Sequence, residues 1–518
     1  KILLLFSVLS TLSCVENENP SFTKEELVLI PQPKSLNLNQ GSFEVTNSTK
    51  IIIAQDSLAS VSSILNDLFK RAAGFELETS IDAHAENNIQ LKINSEIAKE
   101  AYELKVTSEN VILEANSKLG FVYGMETIRQ LLPKEIESGS KVSDIEWYIP
   151  NVEITDAPQY SYRGNMLDVS RHFFGKEYIK KHIDRLAFLK LNTFHFHLVD
   201  DQGWRIEIKK WPKLTEIGGQ SAVKNGRAGF LTQKEYKELQ AYAKERNVMI
   251  IPEVDMPGHT YAALQGYPEL SCENFENLDP IRATPPAPFH GTEVGWSKFC
   301  MEKPVVYDFV NDVIAELAKI TDGPYLHIGG DEIEDEHYKE FVVKAEKIVR
   351  ENGKTAIGWE EVTQAKVDDS FISQRWTGTT KSVVDTRIIE SICKNFYLDH
   401  GNIPDQPNTY SWCKKDGVSL KNVYDFVSEN KKAIGVEGAL WTELVHSDAT
   451  ADDRLWPRSI AVAEVGWSSP KKKDYTEFVK RLGIHGKRLV YMGVNFYKTP
   501  DVPWNTTKIK GVFSTVEK

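Results

Sequence analysis

YLHIGGDEI, residues 325–333, begins as a short apolar strand and ends in two glycines followed by two adjacent acids. Neighbours on a regular strand point to opposite faces, so Asp331 and Glu332 serve one ligand only where the strand stops or kinks, which Gly329 and Gly330 permit. Seven further apolar runs share this habit of ending near acids or aromatics: RGNMLDVS (163–170), TFHFHLVD (193–200), VMIIPEVD (248–255), TAIGWEEV (355–362), ISQRWTG (372–378), FYLDH (396–400) and VEGALWTE (436–443). Helical patterns such as KEYIKKHIDRLAFLKL, QKEYKELQAYAKERN and VVYDFVNDVIAELAKI separate most of them, with apolar residues recurring at three and four. Strand then helix, repeated, is the pattern of a parallel sheet covered by helices. Eight such units over roughly 340 residues predict the α/β class and a closed (β/α)8 TIM barrel with long loops in preference to an open doubly wound sheet. The barrel with its C-terminal tail is assigned to residues 156–518.

Ahead of it, residues 24–155 read as a smaller α+β domain. EAYELKVTSENVILEA has the alternation of a hairpin, SLASVSSILNDLFKRAAG that of an amphipathic helix, and LGFVYGMETIRQLLP that of a second helix with a proline stop. Residues 1–23 read as an export signal and tether: KILLLFSVLSTLSC carries a positive charge, an apolar stretch and small residues before Cys14. A lipid anchor on Cys14 is the expectation, with Thr11 in place of the usual leucine, and plain secretion is the alternative. The protein is accordingly expected in the periplasm or on the outer membrane or cell surface. Of the other cysteines, Cys272, Cys300, Cys393 and Cys413, none has C-x-x-C spacing, so one or two disulfides are expected with the pairing open. The net charge of −12 repels a phosphate backbone, and no basic stripe overcomes it, which excludes nucleic acid as a partner.

In a barrel the carboxyl ends of all strands open on one face, where chain-distant residues meet. Asp168, Asp200, Glu253, Asp255, Asp331, Glu332, Asp399 and Glu443 lie at or near those ends, and so do Trp359, Trp376, Tyr397 and Trp441. A pyranose ring is apolar on its C–H faces and hydroxylated at its rim, so flat aromatics beside carboxylates predict a sugar pocket. The H-x-H pair His195 and His197 shares one strand face, as a zinc site requires, but lacks an evident further ligand.

HIGGDE, with HLVDDQGWR (197–205), IPEVDMPGH (251–259) and LWTE (440–443), resembles glycoside hydrolase family 20, and LIPQPKSL resembles the opening of that family's N-terminal domain. The resemblance covers nearly the whole chain. It implies an exo-β-N-acetylhexosaminidase that releases terminal non-reducing β-linked N-acetylglucosamine or N-acetylgalactosamine from glycans or chitooligosaccharides, with retention and without cofactor or metal. It implies that the substrate's acetamido group is the nucleophile, closing to an oxazolinium intermediate. On this reading Glu332 starts protonated as general acid and then acts as base. Asp331 stays ionised and orients the acetamido N–H, and Tyr397 binds the acetamido carbonyl. Arg163, Asp399 and Glu443 clamp the sugar hydroxyls, and Trp359, Trp376 and Trp441 wall the ring. Asp255 and His259 support the acids from behind, and Asp200 and Asp201 support the substrate loop. The rivals are a glycosidase using Glu253 or Glu443 as its own nucleophile and a non-catalytic sugar-binding protein. Residues 266–300 are expected to shape the leaving-group side.

Overall fold

The computed structural model describes residues 19–81, 87–272 and 287–505. The predicted export segment and Cys14 lie outside these residues, as does much of the 266–300 stretch. Among the described residues, a seven-stranded mixed sheet forms the first layer of the N-terminal part. Its order is Ser35–Glu44, Tyr148–Asp156, Tyr102–Val106, Asn110–Ala115, Asn88–Ile93, Lys50–Ile53 and Glu78–Ser80. The expected hairpin is the antiparallel pair Tyr102–Val106 and Asn110–Ala115. Alternation explains which face it buries: Tyr102, Leu104 and Val106 point inward while Glu103 and Lys105 face solvent. The two expected helices, Ala59–Ala72 and Lys118–Leu131, bury Leu65, Phe69, Phe121, Met125 and Ile128 in the same core.

Eight parallel strands then close into a barrel: Tyr162–Asp168, Thr193–His197, Met249–Glu253, Tyr325–His327, Thr355–Trp359, Ile372–Arg375, Arg387–Glu390 and Ala433–Leu440. They are called barrel strands 1 to 8 below. The seventh corrects the reading of FYLDH as a strand. Strand 7 is the run RIIE, and Cys393–Phe396 is a helical turn that ends at Tyr397, itself bridged to Ala439 of strand 8. RIIE was missed because its two apolar residues are flanked by charges, whereas FYLDH carries the stronger β-forming residues.

The bore is layered. Tyr162, Ile251, Ile357, Ile372 and Ile389 make an apolar plug toward the amino ends. Two residues further along the same strands, alternate positions place Glu253, Trp359 and Gln374 on the same inward face. The polar layer therefore lies between the plug and the mouth, where the site is built.

Candidate active site

Strand 4 ends at His327, earlier than the sequence suggests, and the turn that follows aims both acids. Gly329 and Gly330 take φ of +65° and +98°, and Glu332 itself sits at +58°. A glutamate in that region costs on the order of 1–3 kcal/mol, strain of the kind retained where geometry matters more than stability. Gly329 has a second constraint, because a Cβ there would collide with the Asp255 carboxylate, whose Oδ1 accepts the Gly330 N–H at 3.0 Å. Asp255 thus fixes the turn from behind. His259 stands opposite: its Nδ1 meets Asp200 Oδ1 at 3.3 Å, and its Nε2 lies 3.5 Å from Glu332 and 3.9 Å from Asp331.

The aromatic walls converge on this turn. Trp359 is fully buried and donates to Glu253 Oε1 at 2.9 Å. Its ring lies 5.8 Å from Trp441, which is 5.9 Å from Tyr397. Tyr397 lies parallel to Trp376, 6.2 Å away and 7° apart in plane, and Trp376 is held by its indole N–H on Glu361 at 3.0 and 3.1 Å. Sequence reading missed Glu361 and also Trp412, which is 58% exposed and packs edge-on against Trp376 and Tyr397 at the rim. Disulfide Cys393–Cys413 ties the loop carrying Trp412 to the turn before Tyr397, and Cys272–Cys300 is the other pair.

Arg163 does not clamp a sugar. It sits at the amino end of strand 1, fully buried, and donates to the carbonyls of Lys190 (2.9 Å) and Tyr160 (2.6 Å), to the Tyr123 hydroxyl (2.7 Å) and to Glu100 (3.0 Å). It therefore joins the two domains on the side away from the mouth. The arginine at the mouth is Arg171, three residues past the end of strand 1. Asp168 takes its backbone N–H at 3.1 Å and its guanidinium at 3.3 Å, Asp200 takes Nη2 at 2.8 Å, Glu443 lies 3.8 Å away, and the Trp441 ring lies 5.1 Å beneath. Glu443 Oε2, Asp399 Oδ1, Asp331 Oδ1 and Trp441 Nε1 are buried without a hydrogen-bond partner, which leaves acceptors and a donor for a polyhydroxylated ligand. Replacing Arg171 by Met is expected to raise KM roughly 10- to 100-fold, the worth of a charged hydrogen bond. Replacing Arg163 by Ala should leave KM alone and cost about 3–5 kcal/mol of stability, since Glu100 and two carbonyls lose their partner. Denaturant unfolding alongside Michaelis kinetics separates the two.

Burial, then the neighbouring Asp255 and Glu332 carboxylates, push Asp331 well above the usual carboxylate range. Asp331 is the more enclosed of the pair, with 12% of its side chain exposed against 32% for Glu332. Burial likewise pushes Glu443 and Glu361 up to about 7. A ligand presenting positive charge to Asp331 favours its ionised form, so a cationic sugar analogue should bind with proton release. Calorimetry in buffers of different ionisation enthalpy reads this sign directly, and proton uptake would contradict it.

Glu253 is not placed to act as a nucleophile. It is fully buried beneath Trp359 and held by His197 at 2.6 Å. The donors of His195, Glu253 and His327 lie within 4.8 Å of one another, and hydrogen bonds and ion pairs among the neighbouring groups account for that spacing.

Paired acids, an aromatic box and a cationic clamp at the carboxyl mouth of a (β/α)8 barrel define an enzyme that cleaves carbohydrate. The comparisons narrow the class. The catalytic domain of glycosyl hydrolase family 20 matches residues 160–342 and 334–470, and that family's domain 2 matches residues 26–157. The β-hexosaminidase of Porphyromonas gingivalis is 32% identical, over 98% of this chain and 70% of its own length. The β-N-acetylhexosaminidase of Cellulomonas fimi is 29% identical over 92% and 97%. A solved structure of the family 20 β-N-acetylhexosaminidase from Streptomyces coelicolor A3(2) shares 34% identity at a TM-score of 0.86, covering 93% of this chain and 99% of that one. A Streptomyces plicatus β-hexosaminidase mutant, solved with its product GlcNAc, shares 34% identity at 0.86 over 94% and 100%. The chain belongs to glycosyl hydrolase family 20 and is a glycoside hydrolase.

Proposed function

We propose that this enzyme is an exo-β-N-acetylhexosaminidase working by substrate-assisted retention. The observation that carries the reading is the turn at Asp331 and Glu332 facing Tyr397 within the tryptophan walls, with the Arg171 cluster closing the far end. In that box the terminal sugar's acetamido oxygen attacks its own anomeric carbon. Glu332 gives its proton to the departing glycosidic oxygen, and Asp331 accepts the acetamido N–H and balances the charge of the oxazolinium ring. Glu332, now a carboxylate, takes a proton from water as that water adds to the anomeric carbon, which restores the acetamido group and the acid with net retention. Tyr397, its hydroxyl kept neutral by burial and by Asp331, donates to the acetamido carbonyl oxygen.

Terminal N-acetylglucosamine and N-acetylgalactosamine of glycans or chitooligosaccharides are the proposed substrates, supported by the relatives named above. A panel tests this: nitrophenyl β-N-acetylglucosaminide should be hydrolysed far faster than the plain glucoside, and equal rates would sink the mechanism, because the glucoside brings no nucleophile. Trp412 stands where an aglycone sugar leaves the box, so Trp412→Ala should raise KM for a disaccharide by about tenfold, the worth of one aromatic contact, and leave the nitrophenyl substrate nearly unchanged. Export to an oxidising compartment is part of the proposal, supported by the disulfides Cys272–Cys300 and Cys393–Cys413 and by the sequence before Cys14. Globomycin-sensitive processing and membrane fractionation of the full-length protein test the anchor.

A further inference from the structure

Beneath the site, carboxylates and imidazoles alternate through the bore. Glu437 of strand 8 accepts from the Tyr162 hydroxyl and from Gln374 at 2.7 Å, and meets His195 Nδ1 at 2.8 Å. The other ring nitrogen of His195 makes a 2.9 Å ion contact with Glu253 Oε2. Glu253 Oε2 also meets His197 Nδ1 at 2.6 Å, and His197 Nε2 meets Asp200 Oδ2 at 3.0 Å. Asp200 Oδ1 lies 3.3 Å from His259 Nδ1, whose Nε2 faces Glu332 at 3.5 Å. Each of His195, His197 and His259 therefore stands between two carboxylates: His197 hydrogen-bonds one through each ring nitrogen, while Nε2 of His195 and of His259 faces its second carboxylate at ion-pair distance without a hydrogen bond, and a position between two negative groups favours the imidazolium form. His327 stands beside this series and not in it: its Nδ1 accepts the Gly329 N–H at 3.0 Å and lies 3.1 Å from Glu253 Oε1, but burial outweighs that carboxylate and holds it below the ordinary histidine range.

We infer that Glu437, His195, Glu253, His197, Asp200 and His259 form one ionic ladder that fixes a positive charge against the catalytic acid, and that Glu253, which touches no substrate, is a positioning residue for the reaction. This rests on the proposed role of Glu332. When Glu332 gives up its proton, a charged His259 compensates the carboxylate left behind, and the ladder keeps His259 both charged and aimed. The titratable and charged groups packed on the ladder belong to this balance: His327 beside Glu253, Arg171 and Asp168 beside Asp200 with Glu443 beyond Arg171, Asp255 and Asp331 beside His259, Asp201 next in chain, and Tyr162 at the base. The titration directions agree. Against the burial that disfavours charge, Glu437 and Glu253 raise His195 to about 9, and Glu253 and Asp200 hold His197 well above the ordinary histidine range. Burial alone would raise Asp200, but Arg171 and His259 hold it low.

The sign follows. Removing the Glu253 charge lowers the pH at which His197 becomes neutral, which slackens Asp200 and His259. Glu253→Gln is therefore expected to lower kcat by about tenfold or more with KM unchanged, a part of the general acid–base contribution, and to move the alkaline limb of kcat/KM to lower pH. Glu437→Gln, one rung lower, should do the same more weakly, and it serves if the first variant fails to fold. A folded Glu253→Gln enzyme with an unshifted pH profile overturns the inference. In the unsubstituted enzyme, 15N histidine spectra at neutral pH should show His195, His197 and His259 doubly protonated and His327 neutral, and a neutral His197 there overturns the ladder independently of any activity. Failure of the proposed function would appear elsewhere, as no N-acetylhexosaminide hydrolysis by the unsubstituted enzyme.

Discussion

Glu332→Gln is expected to lower kcat by about 10²–10⁴-fold on a disaccharide while leaving KM near its original value, because an amide binds in the same place but has no proton to give. The loss should depend on the leaving group. A sugar alkoxide leaves only when protonated, whereas a nitrophenolate leaves unaided, so the first step on the aryl substrate should be largely spared and the second, base-catalysed step should limit turnover. A burst of nitrophenol followed by slow release of the sugar is the expected trace. Equal losses on both substrates would mean that Glu332 supports the turn without transferring the proton. The side chain is suited to transfer, since it reaches the open mouth from a left-handed backbone and faces His259 alone among the described cations within 4 Å.

Asp331→Asn is expected to cost about 10²–10³-fold in kcat, the worth of one preorganised electrostatic partner to a charged intermediate. Its stability effect should have the opposite sign. Burial and Asp255 push the Asp331 carboxyl upward, so ionising it near neutral pH works against the folded state, and a neutral amide removes that penalty. The sign is that of a raised acid: the folded state binds the proton more tightly than the unfolded one, so stability falls as pH rises from the unfolded value toward the folded one. The variant should therefore melt higher than the parent at pH 7 and be indistinguishable from it near pH 4. A lower melting temperature at both values would show that Asp331 is a structural support and would remove the reason to regard it as functionally strained.

The parts of the site that were legible in the sequence are those where one short stretch holds both the device and its purpose. Gly329 and Gly330 before Asp331 and Glu332 announce a turn and the groups it turns, and Trp359 and Trp441 lie at or next to the ends of strands whose bodies are plainly apolar. Legibility fails where the fold rather than the chain brings groups together. Arg171 lies outside any strand and belongs to the mouth only because Asp168 folds the loop back on itself. Arg163 opens a strand pattern and carries the charge a clamp needs, yet barrel polarity places it among Tyr123, Glu100 and the barrel floor. Tyr397 reaches its place by a different backbone from the one expected, through a helical turn and a bridge to Ala439 in place of a strand. The ionic ladder was invisible because its members are drawn from strands 2, 3 and 8, the short strand Val199–Asp200 and the loop after strand 3, and only the register of a closed barrel stacks them.

The central claim is that the substrate's own acetamido group closes on the anomeric carbon between Asp331 and Tyr397. Inhibition by a sugar carrying a fused thiazoline ring, a stable likeness of the bicyclic intermediate, measures this most directly. Competitive inhibition at least about 100-fold tighter than that by free N-acetylglucosamine is expected, and weakened in Asp331→Asn. Binding no tighter than the free sugar would contradict the claim.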